Sequence, residues 1–244
     1  MALRVERRDG VAVLTLDDPE RRNALSAELV DEIVTAVADC EADESVGALV
    51  VTGAPPAFCS GADVSALGAM SAHDGRDAGR VRGIYDGFLS VRDCTLPTVA
   101  AVNGPAVGAG FNLALCCDVR IAGTSARFDA RFARIGLHPG GNHLWMLDRA
   151  VGPQAAAALN LFGERVDGAR AAELGLAWRC VGNDVLVDEA VAFAARAAEV
   201  PRELARSIKQ TLRDVPWQPD FAAALETELE RQRRSFEIGG FSAR

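Results

Sequence analysis

Two short stretches bring small residues to places where a strand hands over to a helix. One is Cys59-Ser60-Gly61-Ala62-Asp63; the other is Gly104-Pro105-Ala106-Val107-Gly108-Ala109-Gly110. Small side chains let a ligand approach the backbone closely. The first N–H groups of a helix have no carbonyl partner within it and point toward incoming negative charge. A pair of such turns is what an oxyanion hole requires. Removing one such donor typically costs on the order of 2.7–4 kcal/mol of transition-state stabilisation. Taken alone, both turns could equally be plain strand-to-helix connections. A dinucleotide-binding turn is the rival, but the G-x-G-x-x-G spacing is absent from both and no acidic residue follows at the usual strand end.

The elements that must position these turns read as an alternation of strands and helices. Val11 to Leu16 reads as a strand closed by the turn Asp17-Asp18-Pro19. Ser26 is a candidate N-cap, followed by Leu25, Leu29, Ile33, Val37 and Cys40 at helical spacing. Gly47 to Thr52 and Pro97 to Val102 are short continuous apolar runs, the pattern of buried parallel strands. Residues 71–83 are polar and glycine-rich with no period, as in a mobile loop or a frayed helix start, and Ile84, Phe88 and Val91 resume helical spacing. An apolar helix opens at Gly108-Ala109-Gly110 and runs through Cys116, and Asp118 to Ala122 is a third buried strand. Repeated strand–helix–strand order predicts a mostly parallel sheet with right-handed crossovers. Farther on, Asp167 caps a helix ended by Gly175, Ala177 to Val181 is a strand, and helices start near Asn183, Pro201 and Pro219.

The composition excludes several classes of function. With 244 residues, the chain can bury a large core. A net charge of −8 argues against nucleic acid or an anionic membrane as partner. No apolar stretch reaches the roughly 18 residues of a membrane span. The start, MALRVERRDG, lacks the apolar run of a signal peptide. Six cysteines without C-x-x-C or zinc-like spacing point to free thiols, no metal site and a reducing, cytoplasmic compartment. Among the clustered basic residues, Arg21-Arg22 alone has a claim to a phosphate.

Ala57 to Asp63 resembles the first oxyanion segment of the enoyl-CoA hydratase/isomerase (crotonase) superfamily, and Ala101 to Gly110 resembles the second. Arg21-Arg22-Asn23-Ala24-Leu25, Cys117-Asp118 and Ala171-Ala172-Glu173-Leu174-Gly175-Leu176 are similar to other family segments, in the same order. The resemblance spans roughly residues 5 to 236. It implies an α/β fold, the crotonase (ClpP-like) spiral of repeated ββα units over residues 1–182, followed by a helical oligomerisation region over 183–244. It also implies homotrimers, often paired as hexamers. The partner would be an acyl-CoA thioester, with coenzyme A part of the substrate and no separate cofactor. Carried over by position, the N–H groups of Ala62 and Ala109 would hold the thioester oxygen. Arg22, Ala24 and Leu25 would lie along the CoA, with Arg22 near its phosphates. Gly61, Asp63, Leu67 and Gly108 would line the channel, and Phe132 and Trp145 would form an apolar acyl wall.

Departures from the family pattern bear on the reaction. The family's hydratases use two glutamates, which would fall at Asn112 and Phe132. An amide cannot hold a proton near neutral pH and a phenyl ring has none to give. Each missing group is worth about 10²–10⁴-fold. An aspartate used by other members would fall at Gly140. The remaining candidates are Asn112 itself, Asp129 and His138; Asp129 and Arg131 share a face by strand alternation and could equally form a surface ion pair. His138 could instead simply be hydrogen-bonded to a backbone carbonyl. His143 is expected to start a helix and face away from the pocket. After Arg234 the tail is shorter than in many relatives. The sequence thus supports an acyl-CoA lyase or isomerase acting through enolate stabilisation, with a non-catalytic acyl-CoA-binding protein as the alternative.

Overall fold

A computed structural model describes residues 2–62 and 76–237. Asp63, Leu67 and residues 71–75 lie outside the described residues. Strand β1 (Leu3–Arg8) turns through Asp9-Gly10, both at positive φ, into β2 (Val11–Leu16). Helix α1 (Ala27–Ala42) follows, with the Ser26 hydroxyl accepting from the Leu29 N–H at 3.2 Å. The chain continues through β3 (Ala48–Gly53), α2 (Arg76–Asp93), β4 (Thr98–Val102), β5 (Pro105–Val107) and α3 (Ala109–Cys116). Next come β6 (Val119–Gly123), β7 (Arg127–Asp129), α4 (His143–Asn160), β8 (Arg165–Asp167), α5 (Gly168–Glu173) and β9 (Arg179–Val181). Three helices complete the described chain: α6 (Leu186–Ala198), α7 (Arg202–Asp214) and α8 (Phe221–Glu237).

The main sheet runs β1-β2-β3-β4-β6-β9 and is parallel from β2 onward. Its strands alternate between two cores. Leu14, Leu16, Leu49, Val51, Ala100 and Val102 face a core shared with α1, α2 and α3. Val11, Val13, Ala48, Val50, Val99 and Ala101 meet Leu186, Ala190, Val191 and Ala194 of α6. This explains why β2 is buried throughout although its sequence alternates: helices cover both faces of the sheet, and Thr15 is carried inside with the rest. The helices expected near Asn183, Pro201 and Pro219 begin at Leu186, Arg202 and Phe221.

A second sheet of three strands, β5-β7-β8, stands apart from the first. Two isolated parallel bridges extend it: Cys59 pairs with Ala106 and Leu25 with Ala62. Both small-residue turns are therefore edges of this second sheet. The helical tail is tied back by Lys209, 6% exposed, whose Nζ donates to the Leu96 carbonyl at 2.6 Å and pairs with Asp118 at 2.7 Å. The same carboxylate accepts from the Thr98 N–H and hydroxyl, fixing where β4 begins.

Replacing Lys209 by methionine keeps the stem's packing but leaves the Leu96 carbonyl and Asp118 without their cation. Urea unfolding should show a loss of about 1.5–3 kcal/mol. An unchanged midpoint would mean that the tail is held by packing alone.

Candidate active site

The first turn is built from the chain segment that precedes α1. Asn23 is fully buried at φ 57°. Its Nδ2 donates to the carbonyls of Ala54 at 2.9 Å and Ala57 at 2.8 Å, and its Oδ1 accepts from the Asp18 N–H at 3.0 Å. Backbone bonds do the rest: Ser60 N–H donates to the Arg22 carbonyl at 3.0 Å and Leu25 N–H to the Gly61 carbonyl at 2.8 Å. Arg22 is exposed and left-handed (φ 53°), whereas Ala24 and Leu25 are buried beneath the turn.

The second turn is bonded to the first. Phe58 and Cys59 N–H groups both reach the Pro105 carbonyl at 3.1 Å, and the Val107 N–H returns to the Cys59 carbonyl at 3.0 Å. Gly108 N–H donates to the Asp129 carbonyl, and α3 closes its first turn with the Asn112 N–H on the Gly108 carbonyl, each at 3.0 Å. Two glycines allow this approach. A Cβ on Gly61, at φ 104°, would lie 2.7 Å from the Val107 carbonyl oxygen and 3.6 Å from the Ala109 nitrogen. A Cβ on Gly110 would lie 2.2 Å from the Cys59 oxygen. The Gly61–Ala62 peptide thus sits beside the start of α3. Among the described residues, neither the Ala62 nor the Ala109 N–H has a hydrogen-bond partner.

Among the described residues, the wall beside these donors is uncharged. The Phe132 ring lies 3.8 Å from where a Cβ on Gly108 would stand, and it packs edge-on against His143 with centroids 5.1 Å apart. His143 starts α4 as expected, but it does not face away: it is buried beside Phe111 and Phe132. The inward turn follows from Asn142, whose left-handed backbone (φ 59°) directs the helix start toward Asn112. Asn112, also buried, donates through Nδ2 to the Gly140 carbonyl at 3.0 Å, so its Oδ1 faces His143 Nδ1 at 2.7 Å. An amide oxygen only accepts, which assigns the imidazole proton to Nδ1. Burial pulls the His143 pKa down from 6.5 to about 4, with the Asn160 amide opposing, so the ring is neutral at pH 7. Burial likewise pushes the Cys59 thiol up to about 12, which leaves it inert.

The other sequence candidates lie elsewhere. Asp129 is 5% exposed, and its carboxylate is bound by Arg134 at 2.6 Å, Arg165 at 3.2 Å and Arg131 at 3.6 Å. Strand alternation places it on the face of β7 opposite Phe128, in a basic cleft with Arg127 and Arg165. His138 is exposed, with Nδ1 2.8 Å from the Pro139 carbonyl. Trp145 stacks on Trp217 with centroids 5.4 Å apart, and the Arg149 guanidinium sits 3.8 Å over its ring, so it joins α4 to the tail rather than to Phe132. One residue escaped the sequence reading. Tyr85, the only tyrosine, lies within the Ile84–Phe88 helical stripe, and a Cβ on Gly140 would stand 2.2 Å from its hydroxyl oxygen.

The description "Enoyl-CoA hydratase/isomerase" matches residues 6–237. A Mycobacterium tuberculosis protein named "Probable enoyl-CoA hydratase" is 47% identical over 96% of this chain and 92% of its own length. The 1,2-epoxyphenylacetyl-CoA isomerase of Escherichia coli is 32% identical over 96% of this chain and 88% of that one. Among solved structures, the enoyl-CoA hydratase of Bacillus anthracis superposes with a TM-score of 0.90 at 26% identity, covering 96% of this chain and 90% of that one.

The His143 environment predicts a pH dependence. Unfolded chains protonate this histidine from about pH 6.5 downward, whereas the folded protein does not until near pH 4. Stability should therefore fall as pH drops from about 6.5 toward 4, by up to about 3 kcal/mol from this group. His143→Gln should flatten that part of the profile, as read by urea unfolding at pH 7, 5.5 and 4.5. Parallel profiles for the two proteins would remove His143 as the cause.

Proposed function

Since the chain belongs to the enoyl-CoA hydratase/isomerase family, we propose that it binds an acyl-CoA thioester with the carbonyl oxygen between the N–H groups of Ala62 and Ala109, and that it stabilises the enolate of that thioester. The observation that carries this reading is the pair of unpartnered donors on turns bonded to each other. When a proton leaves the carbon next to the thioester, negative charge moves onto the carbonyl oxygen. Two fixed dipoles in a wall of Phe132, Phe111 and neutral His143 are worth more there than in water. Arg22, exposed and without an ion-pair partner among the described residues, would meet the CoA phosphates. Exposed apolar residues on α7 and α8, among them Leu212, Phe221 and Leu225, favour a homo-oligomer, a trimer or its paired hexamer. Six free cysteines suit a reducing compartment such as the cytoplasm.

The reaction is not simple hydration. Asn112 and Phe132 stand where the resemblance puts the two hydratase glutamates, and the Asn112 amide is already engaged at both ends. The carboxylate of Asp129 is saturated by arginines, and His138 is turned to its own loop. These same observations favour the second reading, a protein that binds acyl-CoA without turning it over.

Two measurements test the reading together. Butyryl-CoA should bind in a calorimetric titration. Crotonyl-CoA should be hydrated at least about 10⁴-fold more slowly than by a two-glutamate enzyme, since each such group is worth about 10²–10⁴-fold. Ala109→Pro removes one donor at a first helical position, where proline is tolerated. It should weaken thioester binding and cut any turnover by about 10²–10³-fold. Unchanged affinity in that variant would sink the oxyanion-hole assignment, and rapid hydration would sink the rest.

A further inference from the structure

Among the described side chains of the wall beside the donor pair, two polar atoms keep unused hydrogen-bonding capacity: His143 Nε2, buried without a partner, and the hydroxyl of Tyr85. Asn112 is bonded at both ends of its amide, and His143 Nδ1 is spent on Asn112. Phe132 and Phe111 offer no hydrogen bond. With its proton on Nδ1, His143 can only accept at Nε2, so the available donor is Tyr85, on α2, half-buried and packed against Phe88 with ring centroids 5.4 Å apart. Its hydroxyl oxygen occupies the space a side chain at position 140 would fill, since a Cβ there would come within 2.2 Å of it. The Gly141 N–H is presented to the same oxygen. A hydroxyl that accepts a hydrogen bond still has its own proton to give. No acceptor for that proton is found among the described residues.

The place of this donor follows from the chain. Asn112 lies three residues along α3 from Ala109, roughly 4.5 Å by helical rise. Its amide reaches the Gly140 carbonyl at 3.0 Å, and Tyr85 stands against Gly140. An acyl group whose thioester oxygen is held at Ala109 would meet Asn112 and Phe132 first and the tyrosine beyond them.

We infer that Tyr85 is a specificity-determining residue, whose hydroxyl recognises an uncharged oxygen in the distal part of the acyl group, beyond the third carbon, so that the preferred substrates are oxo- or hydroxyacyl-CoA thioesters rather than plain alkyl ones. This rests on the proposed thioester site. An uncharged acceptor is favoured because the described wall is neutral, and a half-buried carboxylate would lose its hydration with no cation among the described side chains to replace it. Burial raises the Tyr85 pKa, so the hydroxyl remains a donor and not a base at neutral pH. Gly140 is then explained as well: its φ is ordinary, so only the tyrosine hydroxyl excludes a side chain there.

The test uses matched thioesters and calorimetric titration: pentanoyl-CoA against 4-oxopentanoyl-CoA, and hexanoyl-CoA against 5-oxohexanoyl-CoA. At least one oxo compound should bind about tenfold more tightly than its alkyl partner, the worth of one net hydrogen bond. Tyr85→Phe should bring that ratio to about one. Gly140→Ala, which keeps the tyrosine but displaces its hydroxyl, should do the same by an independent route. If the wild-type protein binds pentanoyl-CoA but shows no preference for either oxo compound, or if Tyr85→Phe keeps the preference, the inference is overturned while the thioester site stands. If no thioester binds the wild-type protein, the site and the inference fall together.

Discussion

The constraint on which the site depends is the pairing of Cys59 with Ala106. Its bonds, from the Cys59 N–H to the Pro105 carbonyl and from the Val107 N–H to the Cys59 carbonyl, fasten two turns that lie almost fifty residues apart in the chain. Neither turn could hold a ligand alone. One N–H dipole in contact with water gains little by exchanging a water for a carbonyl oxygen. Two dipoles fixed by the same pairing have already met the cost of ordering, which is what would give the proposed site its advantage when charge develops. The pairing also fixes the glycines. Gly61 and Gly110 face carbonyl oxygens at distances no Cβ could tolerate, so they are consequences of the bridge rather than independent signals of flexibility.

Charge is arranged in accordance with this. The described ionisable groups near the small sheet lie on its far face, where Arg131, Arg134 and Arg165 gather around the buried Asp129. That cluster orders β7 and thereby the Asp129 carbonyl, which receives the Gly108 N–H at the foot of α3. Asp129 thus reaches the start of α3 through its backbone carbonyl, while its side chain points to the arginines. On the near face the described wall is neutral, because His143 is held uncharged by burial and Cys59 is kept as a thiol. In the proposed site, a neutral described wall would leave the two N–H dipoles to act on the thioester oxygen.

The architecture was legible in the sequence because it is written in local signals. The caps at Ser26 and Asp167, the buried runs of β3, β4 and β6, and the small-residue turns each announce themselves within a dozen residues. Long-range arrangements were not legible. Nothing near Asp129 in the chain tells that Arg165 will reach it, since β8 pairs with β7 only after α4 intervenes. The inward turn of His143 depends on one left-handed residue, Asn142, and on an amide thirty-one residues earlier. Helical periodicity placed Ile84 and Phe88 correctly, but a periodic apolar stripe does not reveal which member carries a hydroxyl to a neighbouring loop. Tyr85 was passed over for that reason.

The loop from Gly136 to His143 is ordered by an amide rather than by a charged group. Three left-handed residues, Gly136, Gly141 and Asn142, give it a shape few sequences could hold unaided. Asn112 is what holds it, through Gly140 on one side and His143 on the other. A carboxylate in place of this amide would have no N–H to offer the Gly140 carbonyl, and the bond fixing the loop would become a repulsion between oxygens. The amide at position 112 is therefore tied to the conformation of the loop opposite, and the hydroxyl of Tyr85 stands against that loop at Gly140. Asparagine, the two glycines and tyrosine form one mutually dependent arrangement, which a glutamate at position 112 would disturb.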